Sequence, residues 1–289
     1  MVLEKFAKHF TTPLQNRQPL ISIVTVVYNG ASLIEETLRS AVSQTWKSME
    51  LVIVDGGSTD DTLERVKQFN PFIGSLVSER DKGIYDAMNK GIALARGEWI
   101  YFLNAGDAFY NDRVLETIFG NPIAEDTELL YARVQTRNEP TGVDYLNGSR
   151  IGFRDFYFRY PICHQATFTR KRAFQRLGTY NLRYRLAADL DWFMRFFKYS
   201  EERALYLDMT VAYYDVTGAS YQKRMQGYRE FLHMAGKQLP LHVVLAGYLL
   251  YPFIYIKQKL IRLVSNQPWF KAYRKRKFAG RSLVKADSA

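Results

Sequence analysis

Ile21-Ser-Ile-Val-Thr-Val-Val27 is a near-continuous β-branched run without an alternating polar face. Such a strand has to be covered on both sides, which in a soluble chain means the middle of a parallel sheet. Tyr28-Asn29-Gly30 breaks the run, and a helical pattern follows over about residues 32–44, with Leu33, Ile34, Thr37, Leu38, Ala41 and Val42 on one side. Leu51-Val-Ile-Val54 reads as a second buried strand, ended by Asp55-Gly56-Gly57. Ser58, Asp60 and Asp61 then offer caps for a helix through about Phe69. A third strand over residues 73–78 leads through Glu79-Arg80-Asp81-Lys82-Gly83 into a helix ending near Arg96. Residues 99–103 form a fourth strand, closed by Asn104-Ala105-Gly106-Asp107. Strands alternating with helices predict an α/β fold: a mostly parallel open sheet with right-handed crossovers, flanked by helices. From Leu129 the pattern loosens into short strands and loops with one clear helix at about residues 188–199, an extension covering the active edge of the same sheet.

In an open parallel sheet, ligands bind beyond the carboxyl ends of the strands. The polar breaks fall there: Tyr28-Asn29, Asp55, residues 79–81 and residues 104–107. The loop after the first strand carries one glycine, where a dinucleotide fingerprint needs Gly-x-Gly-x-x-Gly, and there is no Gly-Lys-Ser/Thr phosphate loop. Dinucleotide and P-loop chemistry are therefore set aside.

Charge is unevenly spread. The 289 residues carry a formal net charge of +11, yet from Lys257 onward there are ten basic residues and one acid, Asp287. The body is nearly neutral and the C-terminal segment strongly basic. That segment follows an apolar stretch, residues 241–256, with Tyr248, Tyr251 and Tyr255, interrupted by His242 and Pro252. Its length falls short of the ~18–20 residues that span a bilayer. Aromatic and apolar residues beside clustered Lys and Arg suit an interfacial helix on an anionic leaflet, while a helix packed on the core with a solvated tail explains the same pattern. No nucleic-acid-binding motif occurs, and the tail has too few interleaved aromatics for a stacking platform. The one cysteine, Cys163, excludes an intrachain disulfide, and residues 1–20 hold no run of signal-peptide length, so a cytoplasmic chain at the inner face of the membrane is expected.

Four segments in order, Ser22-Ile-Val-Thr-Val-Val-Tyr-Asn-Gly30, Val54-Asp-Gly-Gly-Ser-Thr-Asp-Asp-Thr62, Ser78-Glu-Arg-Asp-Lys-Gly-Ile-Tyr-Asp-Ala-Met-Asn-Lys-Gly91 and Gly97-Glu-Trp-Ile-Tyr-Phe-Leu-Asn-Ala-Gly-Asp107, resemble family 2 glycosyltransferases of the GT-A fold. The resemblance covers about residues 20–220 and is strongest to bacterial transferases that build O-antigen, capsule or exopolysaccharide. It implies a catalytic domain (21–220) with a nucleotide-binding half (21–107) and an acceptor half (108–220), which leaves an N-terminal extension (1–20) and, from its charge and aromatics, a basic, helical, membrane-associating extension (221–289).

For the site, the resemblance implies that Thr25, Val27, Tyr28 and Asn29 contact the nucleotide and that Asp55, with Gly56 beside it, binds the base. Capping of the next helix is the plain structural reading of Asp55. Asp81, Lys82, Gly83 and Asn89 would line the nucleotide-sugar pocket, with Lys82 offsetting phosphate charge or simply solvated; Asp86 poses the same question. The family's Asp-x-Asp metal motif falls on residues 104–107, where only Asp107 is a carboxylate. A divalent cation, Mn²⁺ or Mg²⁺, is expected on Asp107 and the donor diphosphate, with Asn104 and Ala105 facing the donor. His164 would lie near the diphosphate or acceptor, or serve packing alone. Inverting transfer needs a base for the acceptor hydroxyl. The resemblance places it at Asp189, with Asp191 in reserve and Arg195 orienting or neutralising one of the pair at the donor site. Helix capping explains one of these acids but not both. Arg183 and Arg185 would meet the pyrophosphate of a lipid-linked acceptor, and residues 153–160 shape the acceptor site or pack the core. The implied activity is transfer of a hexosyl or N-acetylhexosaminyl unit from a UDP-sugar or similar donor to a glycan, free or polyprenyl-diphosphate-linked. A catalytically silent sugar-nucleotide-binding module and a membrane-surface adaptor are the readings to exclude.

Overall fold

Side chains of β1 (Ile21–Val27) divide between two cores: Val24 and Val26 enter one, Ile21, Ile23 and Val27 the other. β2 (Met49–Asp55) does the same and is equally buried throughout. The computed structural model describes residues 20–137, 144–157, 160–216, 223–264, 267–273 and 276. The N-terminal extension up to residue 19 and the basic residues from 277 onward lie outside the described residues.

Between these strands runs α1 (Ala31–Val42), whose buried face is Ile34, Thr37, Leu38, Ala41 and Val42. α2 (Thr62–Lys67) follows β2. Asp61 holds its N-cap position without a side-chain bond, and Asp60 instead accepts from the Thr62 and Ala31 amides at 3.1 and 3.2 Å. β3 (Ile73–Ser78), α3 (Ile84–Leu94) and β4 (Trp99–Phe102) complete the first half. β3, β2, β1 and β4 lie side by side, all parallel. α3 sits so close to β1 that a Cβ at Gly91 would overlap the Val24 side chain.

The second half extends the same sheet. β5 (Ala108–Phe109), α4 (Val114–Phe119), β6 (Leu129–Arg137), β7 (Leu146–Asn147), β8 (Thr167–Arg170), α5 (Lys171–Leu177), α6 (Ala188–Ser200) and β9 (Ala204–Asp215) give the strand order β3-β2-β1-β4-β8-β6-β9-β5, with β7 also on β6. β8 runs antiparallel between β4 and β6, and β9 pairs parallel with β6. The expected mostly parallel, helix-flanked sheet is present. What sequence periodicity missed is the length of β9, twelve residues that are mostly only half-buried, so no continuous apolar run marks them. α7 (Arg224–Gln238) and α8 (Leu241–Val264) follow as a helical pair. No helix among the described residues is long and apolar enough to cross a membrane.

Candidate active site

The polar strand ends converge as expected on one side of the sheet, and each is tied down. Asp55 is fully buried at the end of β2 and accepts from the Gly57 and Ser58 amides at 3.1 and 3.0 Å and from Ser78 Oγ at 2.6 Å. A carboxylate with short-range donors of this kind clasps a turn, joining the ends of β2 and β3. Asn29 adopts a positive φ of 47° and accepts from the Thr59 amide at 2.8 Å, fastening the first loop to the second. Tyr28 is left 64% exposed on this platform. Gly56 lets the Asp81 carboxylate come close beside it, since a Cβ there would push that side chain aside. Asp81 in turn accepts from the Gly83 amide at 2.8 Å, and Asp86 from the Lys82 amide at 3.0 Å, shaping the entry to α3.

Beside this platform lies a cleft of about 490 Å³. Lys82, Gly83 and Asp86 line one wall and Asn104, Ala105, Asp107 and His164 the floor. Asp107 is buried and accepts from Gln165 Nε2 at 3.0 Å and from the Asp215 amide at 3.1 Å. Cys163 Sγ donates to the other end of Gln165 at 2.7 Å, fixing which amide atom meets Asp107. Desolvation pushes the Asp107 carboxyl up to about 6, against the lowering effect of those bonds.

Asp189 lies behind the floor at the first turn of α6. Its Oδ1 accepts from Tyr85 Oη at 2.6 Å, from the Leu190 amide at 2.9 Å and from Tyr160 Oη; its Oδ2 faces His164 Nδ1 at 3.0 Å. Burial is the largest influence and raises its carboxyl, but the hydrogen bond and charge of His164 and the two tyrosine hydroxyls outweigh it and hold the group below the ordinary value. An ionised Asp189 accepts only, so Nδ1 carries the proton and Nε2 is the acceptor nitrogen. Nε2 receives Asn104 Nδ2 at 2.9 Å on the cleft side.

Other expected members stand apart. Asp191 points to the seam between α6 and α7, bonded to Arg195 Nε at 3.2 Å and Gln238 Nε2 at 2.7 Å, and burial raises its carboxyl. Arg195 spends its remaining donors on the Leu177 and Thr179 carbonyls and does not line the cleft. Asn89 pairs with the Tyr180 backbone at 2.9 and 3.0 Å, stapling α3 to the loop before α6. Thr25 and Val27 are buried within β1, and Thr25 Oγ1 has no hydrogen-bond partner among the described residues. Arg185 lines the cleft and Arg183 does not. Of the aromatic stretch, Phe156 is core, residues 158–159 lie outside the described residues, and Tyr160 reaches Asp189. Gln165 stands beside His164 in the His-Gln pair that the resemblance also picks out, whereas sequence reasoning passed over Tyr85, Tyr214 and Asp215. Tyr85 stood inside a quoted segment; Tyr214 and Asp215 are placed by the pairing of β9, with no local signature.

Among the described residues no cluster of three His, Cys, Asp or Glu side chains could hold a divalent cation alone. Asp107 and Asp215 nevertheless line the same cleft, and Asn104 Oδ1 is buried with no hydrogen-bond partner among the described residues. These are hard oxygen donors, and they fit a cation shared with a substrate's phosphates rather than caged by protein.

Residues 22–179 match the sequence model described as Glycosyl transferase family 2. A "PGL/p-HBAD biosynthesis glycosyltransferase" of Mycobacterium bovis is 37% identical over 206 residues, 69% of this chain and 78% of that one. An uncharacterized glycosyltransferase of Mycobacterium tuberculosis is 30% identical over 185 residues, 61% and 68% of the two chains. Among solved structures, S. aureus TarS 1-349 in complex with UDP-GlcNAc superposes with a TM-score of 0.61 at 18% identity, covering 81% of this chain and 73% of that chain. The mannosyltransferase PcManGT from Pyrobaculum calidifontis, in complex with GDP-Man and Mn²⁺, gives 0.59 at 18% identity, covering 98% and 88%. The shared arrangement is the GT-A fold.

Proposed function

The chain belongs to glycosyl transferase family 2, and from that premise we propose that it is an inverting hexosyl- or N-acetylhexosaminyltransferase with a nucleotide-diphosphate donor, UDP-sugars first among them. The observation that carries the reading is His164, backed by buried Asp189, set against Asp107 in one cleft. The platform of Tyr28, Asn29 and the Asp55 turn receives the nucleotide, and Lys82 approaches the diphosphate. Solved neighbours holding UDP-GlcNAc and GDP-Man support a sugar nucleotide as donor.

Transfer is a single displacement. The acceptor oxygen bonds to the anomeric carbon as the bond to the diphosphate breaks, and the nucleoside diphosphate leaves with the electron pair. The acceptor hydroxyl takes the place of Asn104 Nδ2 at His164 Nε2 and passes its proton to that nitrogen, and ionised Asp189 stabilises the imidazolium formed. This assigns the proton-accepting atom to His164, with Asp189 as the charged partner behind it. Asp107, with Asn104 Oδ1, would hold Mn²⁺ or Mg²⁺, which when bound offsets charge on the departing diphosphate. The acceptor enters along Leu182, Tyr184 and Arg185, an apolar wall with a cation. That combination suits a glycan linked to polyprenyl diphosphate, as in assembly of bacterial surface polysaccharide.

The test is transfer by the full chain from a panel of UDP- and GDP-sugars to polyprenyl-diphosphate-linked saccharides, with product configuration read by NMR. Wild type should give product of inverted anomeric configuration. Asp189→Asn, which loses the charge behind the imidazole, should lower turnover by ~10³–10⁴-fold while leaving donor affinity within a few-fold. Retained configuration, or an undiminished Asp189→Asn enzyme, would contradict the mechanism.

A further inference from the structure

α8 is apolar on two opposite sides. Val243, Val244 and Gly247 on one side are buried, and Gly247 lets α7 approach until a Cβ there would meet Leu232 Cδ2 at 2.7 Å. Tyr251 continues that seam, stacked on Tyr228 at 5.7 Å between centroids and accepting from Arg229 Nε at 2.8 Å. The other side carries Leu245, Leu249, Phe253, Ile256, Leu260 and Leu263, all exposed, with Leu249, Phe253 and Leu263 above 70%. Their spacing of three and four residues puts them in one stripe. Beyond it, Trp269 and Tyr273 are also exposed, and an apolar cavity of about 370 Å³ opens between Phe253, Leu260, Val264 and Phe270. A stripe of this length facing water needs an occupant.

Charge selects it. No Asp or Glu occurs between Glu230 and Asp287, while Lys257, Lys259, Lys271 and Arg276 flank the stripe. Two copies of α8 packed through this face would oppose cations with no acid to offset them. A leaflet with anionic headgroups supplies the missing charge, and its acyl chains cover the apolar stripe. Tyr248, Tyr255, Trp269 and Tyr273 are the amphipathic rings that settle at headgroup depth.

We propose that α8 lies in the plane of an anionic membrane surface, its Leu245–Leu263 stripe in the acyl region and its lysines among the headgroups. The helix docks through α7, and α7 carries Gln226 at the cleft and Glu230, which accepts from the Leu186 and Ala187 amides at 2.9 and 3.1 Å. The membrane contact is therefore anchored to the acceptor wall of the cleft. The surface argument is independent of the proposed chemistry: a catalytically dead chain would still bind.

The experiment is co-sedimentation of the full chain with phosphatidylcholine vesicles, with and without phosphatidylglycerol, alongside sedimentation velocity without lipid. Wild type should be monomeric and bind the phosphatidylglycerol vesicles, more weakly as salt rises. Phe253→Glu with Leu260→Glu should lower binding at least ~10-fold without changing thermal unfolding, because both side chains project away from α7. Lys257→Glu with Lys259→Glu, which leaves the apolar stripe intact, should abolish the preference for phosphatidylglycerol. Absence of vesicle binding by the wild type would overturn the proposal. So would a lipid-free dimer that Phe253→Glu with Leu260→Glu converts to monomer, which would assign the stripe to a second copy.

Discussion

Burial acts on Asp107 and Asp189 alike, and their neighbours send them in opposite directions. At Asp189 the His164 contact and two tyrosine hydroxyls overcome desolvation; at Asp107 two neutral donors do not, and the carboxyl rises from 3.8 to about 6. A folded-state value above the unfolded one means that this group's contribution to stability is present below about 3.8 and is lost as pH rises through about 6. The span corresponds to about 3 kcal/mol at most. In metal-free buffer, the melting temperature of Asp107→Asn relative to wild type should therefore climb between acid and neutral pH; parallel profiles for the two proteins would contradict the assignment. The same scale explains what was legible in Ala187-Ala-Asp-Leu-Asp-Trp-Phe-Met-Arg195. Acids two residues apart on a helix cannot share a face, whereas residues four apart can. Asp189 and Asp191 therefore part company, and Arg195 follows Asp191 away from the cleft. Periodicity separates the two acids; only packing says which one turns inward.

At the scale of elements, β1, β2 and β4 announced themselves because strands buried on both faces leave continuous apolar runs, and helices placed between them followed from amphipathic spacing. β8 and β9 did not, since their positions depend on pairing partners far along the chain. The cleft inherits this division: its donor platform comes from the legible loops, and Tyr214 and Asp215 come from the illegible β9. Gly91 links the two levels, because it allows α3 to rest on β1 and α3 begins with the Lys82–Asp86 wall. Gly91→Ala should cost ~1–3 kcal/mol through overpacking against Val24, despite alanine's better helix propensity. Thermal denaturation together with donor titration checks it, and the expected outcome is a lowered melting temperature with weakened donor binding. An unchanged or raised melting temperature would show that α3 is not seated on β1 this closely.

Over the whole molecule, a nearly neutral α/β body carries the chemistry and the cations gather at the far C-terminal end. Composition alone showed that split, but not that α8 would bury one apolar side and expose another. The central claim is that the cleft between Lys82, Asp107 and His164 is a sugar-nucleotide site. Calorimetric titration with UDP-, GDP- and dTDP-sugars, with and without Mn²⁺, tests it most directly, using Asp107→Ala and Asp191→Asn as site and off-site variants. One nucleotide class should bind with micromolar affinity, at least ~10-fold tighter with Mn²⁺, and that enhancement should vanish in Asp107→Ala and persist in Asp191→Asn. Folded protein that binds none of these donors, or binds one equally well without Asp107, would contradict the account.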